Sequence, residues 1–380
     1  MRILIPIAVL AVLVALVVNT AAKLYRWVQA LGLKLHPAVF GVVFGLLLLG
    51  LVAGSFVVQF ADVGWSRPWA WAGDLAMGAM AYAMMACAVV EVLRWLGRAV
   101  GLLESPCQRP VTLVTGAVVL ALVAGLVTYG AVHRTQIVTT EYDVTLASSR
   151  ADQRPLRAAL ISDLHLGELN RAAQLARIVD AVEALDPDVV FIAGDVFDGT
   201  FWGMGDPAPI AAQFKRLDAP LGVIAVMGNH DAGSSYPDMV GFLESVGVTV
   251  LQDQVLDLDG RVTLVGRRDS SPIRAVPEPR ADMDLSNLTS PVIVLDHQPS
   301  NLRDYVGQAD LVLSGHTHQG QIWPGNLIVG ALYEDAYGLY QVPGDQLQAV
   351  TTSGAATWGP PLRIATNDEV VLLNLAFVPA

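Results

Sequence analysis

The chain has 380 residues, 53% hydrophobic, with a formal net charge of −12 and two cysteines. Its mean hydropathy of +0.49 is too high for an ordinary soluble domain, and the length leaves room for two domains. The charge is divided: residues 1–135 carry nine Lys/Arg against four Asp/Glu (net +5), and residues 136–380 carry 14 against 31 (net −17). An acidic second half cannot neutralise a phosphate backbone, so nucleic acid is not an expected partner. Both cysteines, Cys87 and Cys107, lie in the first half, which leaves the second without a disulfide or a thiolate ligand.

Four apolar stretches come first, at 3–22, 39–60, 69–90 and 111–132. Each has the roughly 20 residues that cross a hydrocarbon core. Trp27, Trp65, Trp69, Trp71 and Trp95 fall near their ends, where aromatic belts sit. A cleaved signal peptide is disfavoured for the first stretch. Its n-region holds only Arg2, and no clean small-residue cleavage site follows.

Basic residues near the ends set orientation. Lys23, Arg26 and Lys34 follow the first stretch, Arg94, Arg98 and Arg109 the third, and only Arg67 the second. The expectation is a transmembrane helical domain over 1–135, anchored in the cell membrane with the lipid bilayer as partner. The second domain, 136–380, would then be extracytoplasmic. Asp74 is expected at the membrane interface, Cys87 as packing, and His36 and His133 as residues flanking the spans.

The second half alternates apolar runs with polar loops. Strands are expected at 137–146 and 156–161, followed by Asp163-Leu164-His165. An amphipathic helix fits 169–185, with Leu175, Ile178, Val179 and Val182 at helical spacing. A buried strand at 188–193 runs into Gly194-Asp195-Val196-Phe197-Asp198. Another at 221–227 runs into Gly228-Asn229-His230-Asp231. A third at 292–295 ends in Asp296-His297, and a fourth at 309–313 precedes Gly315-His316-Thr317-His318. Ligands bind beyond the carboxyl ends of strands in α/β folds. Helical stretches thin out after residue 250, which favours a layered α/β sandwich over a regular barrel.

Five of the seven histidines lie in these loops. Mixed Asp, Asn and His donors from five segments suit a pair of divalent metals, Mn, Fe or Zn. Paired metals in an open site most often cleave phosphate esters. Asp163 and His165, two apart, can face one metal from an extended loop. Asp195 can bridge two metals through its two oxygens. Asp296 reads as a supporting acid, Arg267 and Arg268 as a solvated loop, and Trp358 as lining or underlying the site.

The ordered set Asp-x-His, Gly-Asp-x-x-Asp, Gly-Asn-His-Asp, His and Gly-His-x-His resembles the calcineurin-like metallophosphoesterase superfamily over residues 155–375. The strings from Gly315 to Gln321 and from Thr357 to Arg363 are similar to its membrane-anchored branch. The resemblance implies two β-sheets flanked by helices. It also implies one metal held by Asp163, His165, Asp195 and His318, and a second held by Asp195, Asn229, His297 and His316. His230 would protonate the leaving oxygen, with Asp231 orienting it, while a metal-bridging hydroxide attacks phosphorus. Asp198 stands where purple acid phosphatases place a metal-binding tyrosine, so no ferric-tyrosinate centre is expected.

The expected function is a membrane-anchored phosphohydrolase. Phosphodiesters, pyrophosphates and lipid-linked phosphates are its candidate substrates. The alternative is a non-catalytic metal-binding sensor or regulatory domain on a helical bundle.

Overall fold

The computed structural model describes residues 4–58, 67–102 and 109–380. Among the described residues, 4–58 and 68–130 form one compact unit, and Arg67 with 131–380 forms the other. Trp65 and Cys107 lie outside the described residues.

The first unit is helical: α1 (Leu4–Ala30), α2 (Pro37–Val58), α3 (Arg67–Ala99) and α4 (Arg109–His133). Among the described residues, Leu10–Ala30, Arg67–Ala99 and Arg109–His133 are long and apolar enough to cross a membrane. The second helix counts as a shorter apolar stretch over Pro37–Ala53. The whole of α2 has 22 residues, about 33 Å at 1.5 Å per residue, enough to match a roughly 30 Å hydrocarbon core.

Two sequence expectations shift here. Lys23 and Arg26 lie on α1 itself rather than in a loop, and Lys23 pairs with Glu91 of α3. Trp27 donates to the Leu113 carbonyl of α4, so it packs between helices instead of facing lipid. Asp74 is buried on the face of α3 that carries Ala70, Gly78, Tyr82 and Cys87.

The second unit runs β1 (Ile137–Ser148), β2 (Leu156–Ile161), α5 (Ala172–Glu183), β3 (Val189–Ala193), α6 (Ala208–Phe214), β4 (Val223–Val226), α7 (Tyr236–Ser245), β5 (Val248–Val250), β6 (Gln254–Leu258), β7 (Val262–Gly266), β8 (Val292–Leu295), β9 (Leu311–Ser314), α8 (Gly325–Leu332), β10 (Gly338–Gln341), β11 (Gln348–Thr351) and β12 (Asp368–Pro379). These strands form two six-stranded sheets, ordered β1-β12-β2-β3-β4-β5 and β10-β11-β9-β8-β7-β6. Strands β2 to β5 are parallel. So are β7, β8, β9 and β11.

Alternation along the strands divides the apolar side chains between faces. Leu160, Phe191 and Leu373 of one sheet and Leu264, Ile293 and Val350 of the other form the inter-sheet core. On the outer face of the first sheet, Ile161, Val190 and Ala225 pack with Leu175, Ile178 and Val182 of α5, Phe214 of α6 and Leu243 of α7. The apolar stripe read from the sequence is thus buried as expected. The outer face of the second sheet is covered by Leu285, Leu302, Tyr305 and Leu347, from loops and a 3-10 turn rather than long helices. The result is a mixed α/β sandwich.

Candidate metal centre

The parallel strands bring five loops to one edge of the sandwich. Strands β2, β3 and β4 lead into the Asp163, Asp195 and Asn229 loops, and β8 and β9 lead into the His297 and His316 loops. The first two loops lie side by side: the amide N–H of Asp163 donates to Gly194 O and that of His165 to Asp195 O, both at 3.0 Å.

The loop at Asp163 is not extended. Asp163, His165, Asp195, His316 and His318 all have φ between +41° and +71°. Non-glycine residues rarely adopt this left-handed region, and such strain collects at functional sites. Two glycines make the crowding possible. A Cβ on Gly315 would lie 1.9 Å from Ser162 Oγ and 2.4 Å from Asp163 Oδ2, and one on Gly228 would lie 2.2 Å from Asp195 Oδ1.

Donor atoms converge around Asp163, His165 and His318 and around Asp195, His297 and His316, and a further cluster joins His165, Asp198 and His230. In the first, His318 Nε2 lies 3.1 Å from His165 Nε2 and 3.5 Å from Asp163 Oδ1. In the second, Asn229 Oδ1 lies 3.1 Å from His297 Nε2 and 2.7 Å from His316 Nδ1. Asp195 Oδ2 faces both groups, 3.7 Å from His165 Nε2 and 3.1 Å from His297 Nε2. Its Oδ1 instead accepts the His230 amide at 2.8 Å. Oδ2 is therefore the Asp195 oxygen turned toward both groups.

The donor set fits divalent ions. Ligands about 2.1 Å from a tetrahedral ion stand about 3.4 Å from one another, close to these separations. His297 Nδ1 donates to Ala193 O at 2.7 Å. This fixes its tautomer and aims Nε2 inward, the outer support that metal-binding histidines need.

The field at the site is strong. Asp195 is buried and Asp198 half-buried, and desolvation by itself would raise their pKa values. Neighbouring imidazoles outweigh burial and hold both well below the usual carboxylate range. Burial pulls the His297 imidazole down, but the Asp195 charge drives it well above its ordinary value. Burial and the His297 charge push His316 down to about 4. His318 is held neutral chiefly by burial.

The His230 ring lies 4.9 Å from that of His165 and 5.2 Å from that of Trp358. Trp358 is exposed, so it lines the site beside His230. The carboxylate facing His230 is not Asp231. Asp198 Oδ1 stands 3.6 Å from His230 Nδ1 and 3.7 Å from His165 Nδ1. Asp231 is fully buried, and its carboxylate accepts the backbone N–H groups of Val196, Phe197 and Gly228. Its position ties two ligand loops together and corrects the orienting role expected of it.

Other charged side chains support the loops. Asp296 is enclosed by Arg280 at 2.7 Å, the Tyr305 hydroxyl at 2.5 Å and Asn301. Arg267 is buried and paired with Asp253 at 2.9 Å, so it is not part of a solvated loop. Arg363 is fully buried. It donates to Asp368 at 2.5 Å and to the carbonyls of His318, Ser353 and Ala356 at 2.7–2.8 Å. It closes the second sequence string, yet nothing in its neighbours along the chain marks it as the holder of the His318 loop.

With this geometry in place, the comparisons follow. The family model described as calcineurin-like phosphoesterase matches residues 156–320. The chain belongs to that family, whose members use divalent metal ions. A transmembrane protein with metallophosphoesterase domain from Bos taurus is 30% identical over 315 residues, 76% of this chain and 68% of that protein. An uncharacterized metallophosphoesterase of Campylobacter jejuni is 31% identical over 239 residues, 61% of this chain. The alignment spans 62% of the Campylobacter protein. The UDP-2,3-diacylglucosamine pyrophosphatase LpxG of Chlamydia trachomatis is 26% identical over 301 residues, 63% of this chain and 89% of that protein.

Proposed function

We propose that the chain is a membrane-anchored phosphohydrolase. Residues 1–135 would serve as the anchor, and 136–380 as the metallophosphoesterase domain with a site for two divalent ions. The observation that carries this is the convergence of seven side chains, Asp163, His165, Asp195, Asn229, His297, His316 and His318, in two groups sharing Asp195 Oδ2. One ion would be held by Asp163, His165, His318 and Asp195. The other would be held by Asn229, His297, His316 and Asp195. Bound divalent ions supply a nucleophile from water near neutral pH and offset charge on phosphate oxygens.

The chain's own residues do the rest. His230 protonates the leaving oxygen. Asp198, 3.6 Å from its Nδ1, holds the imidazole in place. Trp358 packs edge-on against His230 and shields that side from water.

The substrate class is a phosphodiester or pyrophosphate carried on a lipid. Two observations support it. Helices suited to a bilayer belong to the same chain, and a relative is named as the pyrophosphatase of a diacylated, nucleotide-linked sugar. The basic residues at one end of α3 and in the α1–α2 connection favour that end as cytoplasmic, with the metal site on the extracytoplasmic side.

The test strips the full chain of metal in lipid nanodiscs and reloads it with Mn²⁺, Zn²⁺ or Fe²⁺. Hydrolysis of bis-p-nitrophenyl phosphate and p-nitrophenyl phosphate is then measured, with Asp195→Asn as control. Metal-dependent turnover lost in Asp195→Asn is the expected result. Two bound ions without turnover would instead support a metal-binding sensor.

A further inference from the structure

Helix α8 is unusual among the helices of the second unit. It has no buried residue, and its sequence GNLIVGAL is uncharged in a half of the chain with net charge −17. Leu327, Ile328 and Leu332 are 62%, 58% and 74% exposed, and Trp323 just before the helix is 48% exposed. At positions i, i+1 and i+5 the three aliphatic side chains share one side of the helix. A contiguous apolar surface of this kind marks an interaction site on a folded protein.

Both ends of α8 are fixed to the metal-site rim. A Cβ on Gly320, two residues after His318, would lie 2.1 Å from Gly325 C, so the helix start is pressed onto the His318 turn. Tyr333, at the other end, stacks edge-on against His316 with ring centroids 6.0 Å apart.

The same rim receives the end of α4. His133 and Arg134 belong to the second unit. His133 Nε2 lies 3.0 Å from Asn367 Oδ1, and Arg134 donates to Asn170 Oδ1 at 3.3 Å. Asn170 in turn donates to His165 O and Thr357 O. The segment from Thr357 to Asn367 also carries the base of α8: Trp323 N donates to Ile364 O at 3.0 Å, and Thr366 Oγ1 donates to Gln321 O at 2.5 Å. One loop thus touches both the last turn of a membrane-type helix and the root of the apolar helix.

We propose that Trp323 and α8 form a bilayer-contacting patch that seats the rim of the metal site in the lipid interface. The occupant is the membrane that holds α4. The argument for this occupant is chain continuity: the last residues of α4 bond to this rim within the second unit, and an uncharged face with an interfacial tryptophan suits the headgroup boundary. The proposal rests on the membrane reading of the helices and is independent of the esterase reading, because its readout is lipid contact.

The test uses the full chain with Cys87→Ala and Cys107→Ala, and a single NBD-labelled cysteine at Ile328→Cys. It is reconstituted in vesicles of phosphatidylcholine and phosphatidylglycerol at 3:1. Leu332→Cys is a second probe, and Asp180→Cys on exposed α5 is the reference. Lipids carrying a doxyl group at acyl position 5 should quench positions 328 and 332 at least threefold more than position 180, with blue-shifted emission. Quenching equal to the reference would overturn the proposal. Blue-shifted but unquenched probes would overturn it in favour of a protein partner or a second copy of the chain on this face.

Discussion

Replacing Arg363 with methionine isolates the part of the site that metal ligands do not explain. The guanidinium reaches Asp368 and three backbone carbonyls, including that of His318, and is fully buried. Methionine fills much of the volume but donates nothing. The Ser353 and Ala356 carbonyls lose the guanidinium, His318 O keeps only the Gln321 amide at 2.8 Å, and Asp368 keeps the contact from Gln174 at 3.3 Å and the nearby Arg134 charge. Breaking one side of a buried ion pair costs about 3–5 kcal/mol. Proton uptake limits the charge penalty, since burial already lifts Asp368 to about 6 despite the Arg363 charge. For a folded unit of about 250 residues, 1 kcal/mol shifts Tm by about 2–4 °C, so Arg363→Met should melt roughly 8–15 °C lower.

The assay is thermal unfolding of the full chain in nanodiscs at pH 7.5, followed by tryptophan fluorescence. Arg363→Lys should recover less than half of the loss, because an ammonium cannot span four acceptors. Adding Asp368→Asn to Arg363→Met should restore several degrees by removing the stranded carboxyl group. Retained metal should also fall about 10–100-fold, as for other outer supports of a ligand. A melting point within 3 °C of the parent, with unchanged metal content, would refute the account.

Further outcomes follow from the same geometry. His230→Ala should keep its bound metal by elemental analysis while turnover falls about 10²–10⁴-fold, and undiminished turnover would remove His230 from the chemistry. Gly315→Ala forces a Cβ to within 2.4 Å of Asp163 Oδ2. It should lose bound metal and about 1–3 kcal/mol of stability, measured by metal titration and unfolding. Asp335 is lifted to about 6, first by burial, against an ordinary value near 4. The folded state therefore holds a proton that the unfolded state has released. Stability from this group is fully present below about pH 4 and is lost as pH rises through about 6. The loss is on the order of 2–3 kcal/mol. Asp335→Asn should flatten that part of the stability curve, and an unchanged slope in Tm between pH 4.5 and 7 would count against it.

The ligand loops were legible because each follows a run such as Val189–Ala193 or Leu311–Ser314, whose apolar character is continuous. Parallel strands buried on both faces read that way, and their carboxyl ends are where ligands gather. Partner choice was not legible. Asp231 adjoins His230 in sequence, yet its carboxylate turns back to three amides, and Asp198, 32 positions earlier, faces the imidazole. Arg280 and Arg363 reach their acids only after loops fold over the sheets. The place of β12 between β1 and β2 was equally hidden, because strand order depends on contacts across more than two hundred residues. The exposure of α8 escaped for a related reason. An apolar octapeptide looks the same whether it is packed or bare, and only the neighbours decide.

The ladder between β1 and β12 has a mechanical meaning. It pairs Ile137 with Asp368 and continues in parallel to Ser148 and Pro379. Among the described residues β1 has no other sheet neighbour, and it begins four residues after α4 ends. A pull passed down the chain from α4, directed along β1, would therefore enter the sheet at Ile137. Its rungs are loaded in shear, all together, rather than peeled one at a time. A load entering this way would be spread over a long edge of the sheet before it reached β2 and the loop that carries Asp163.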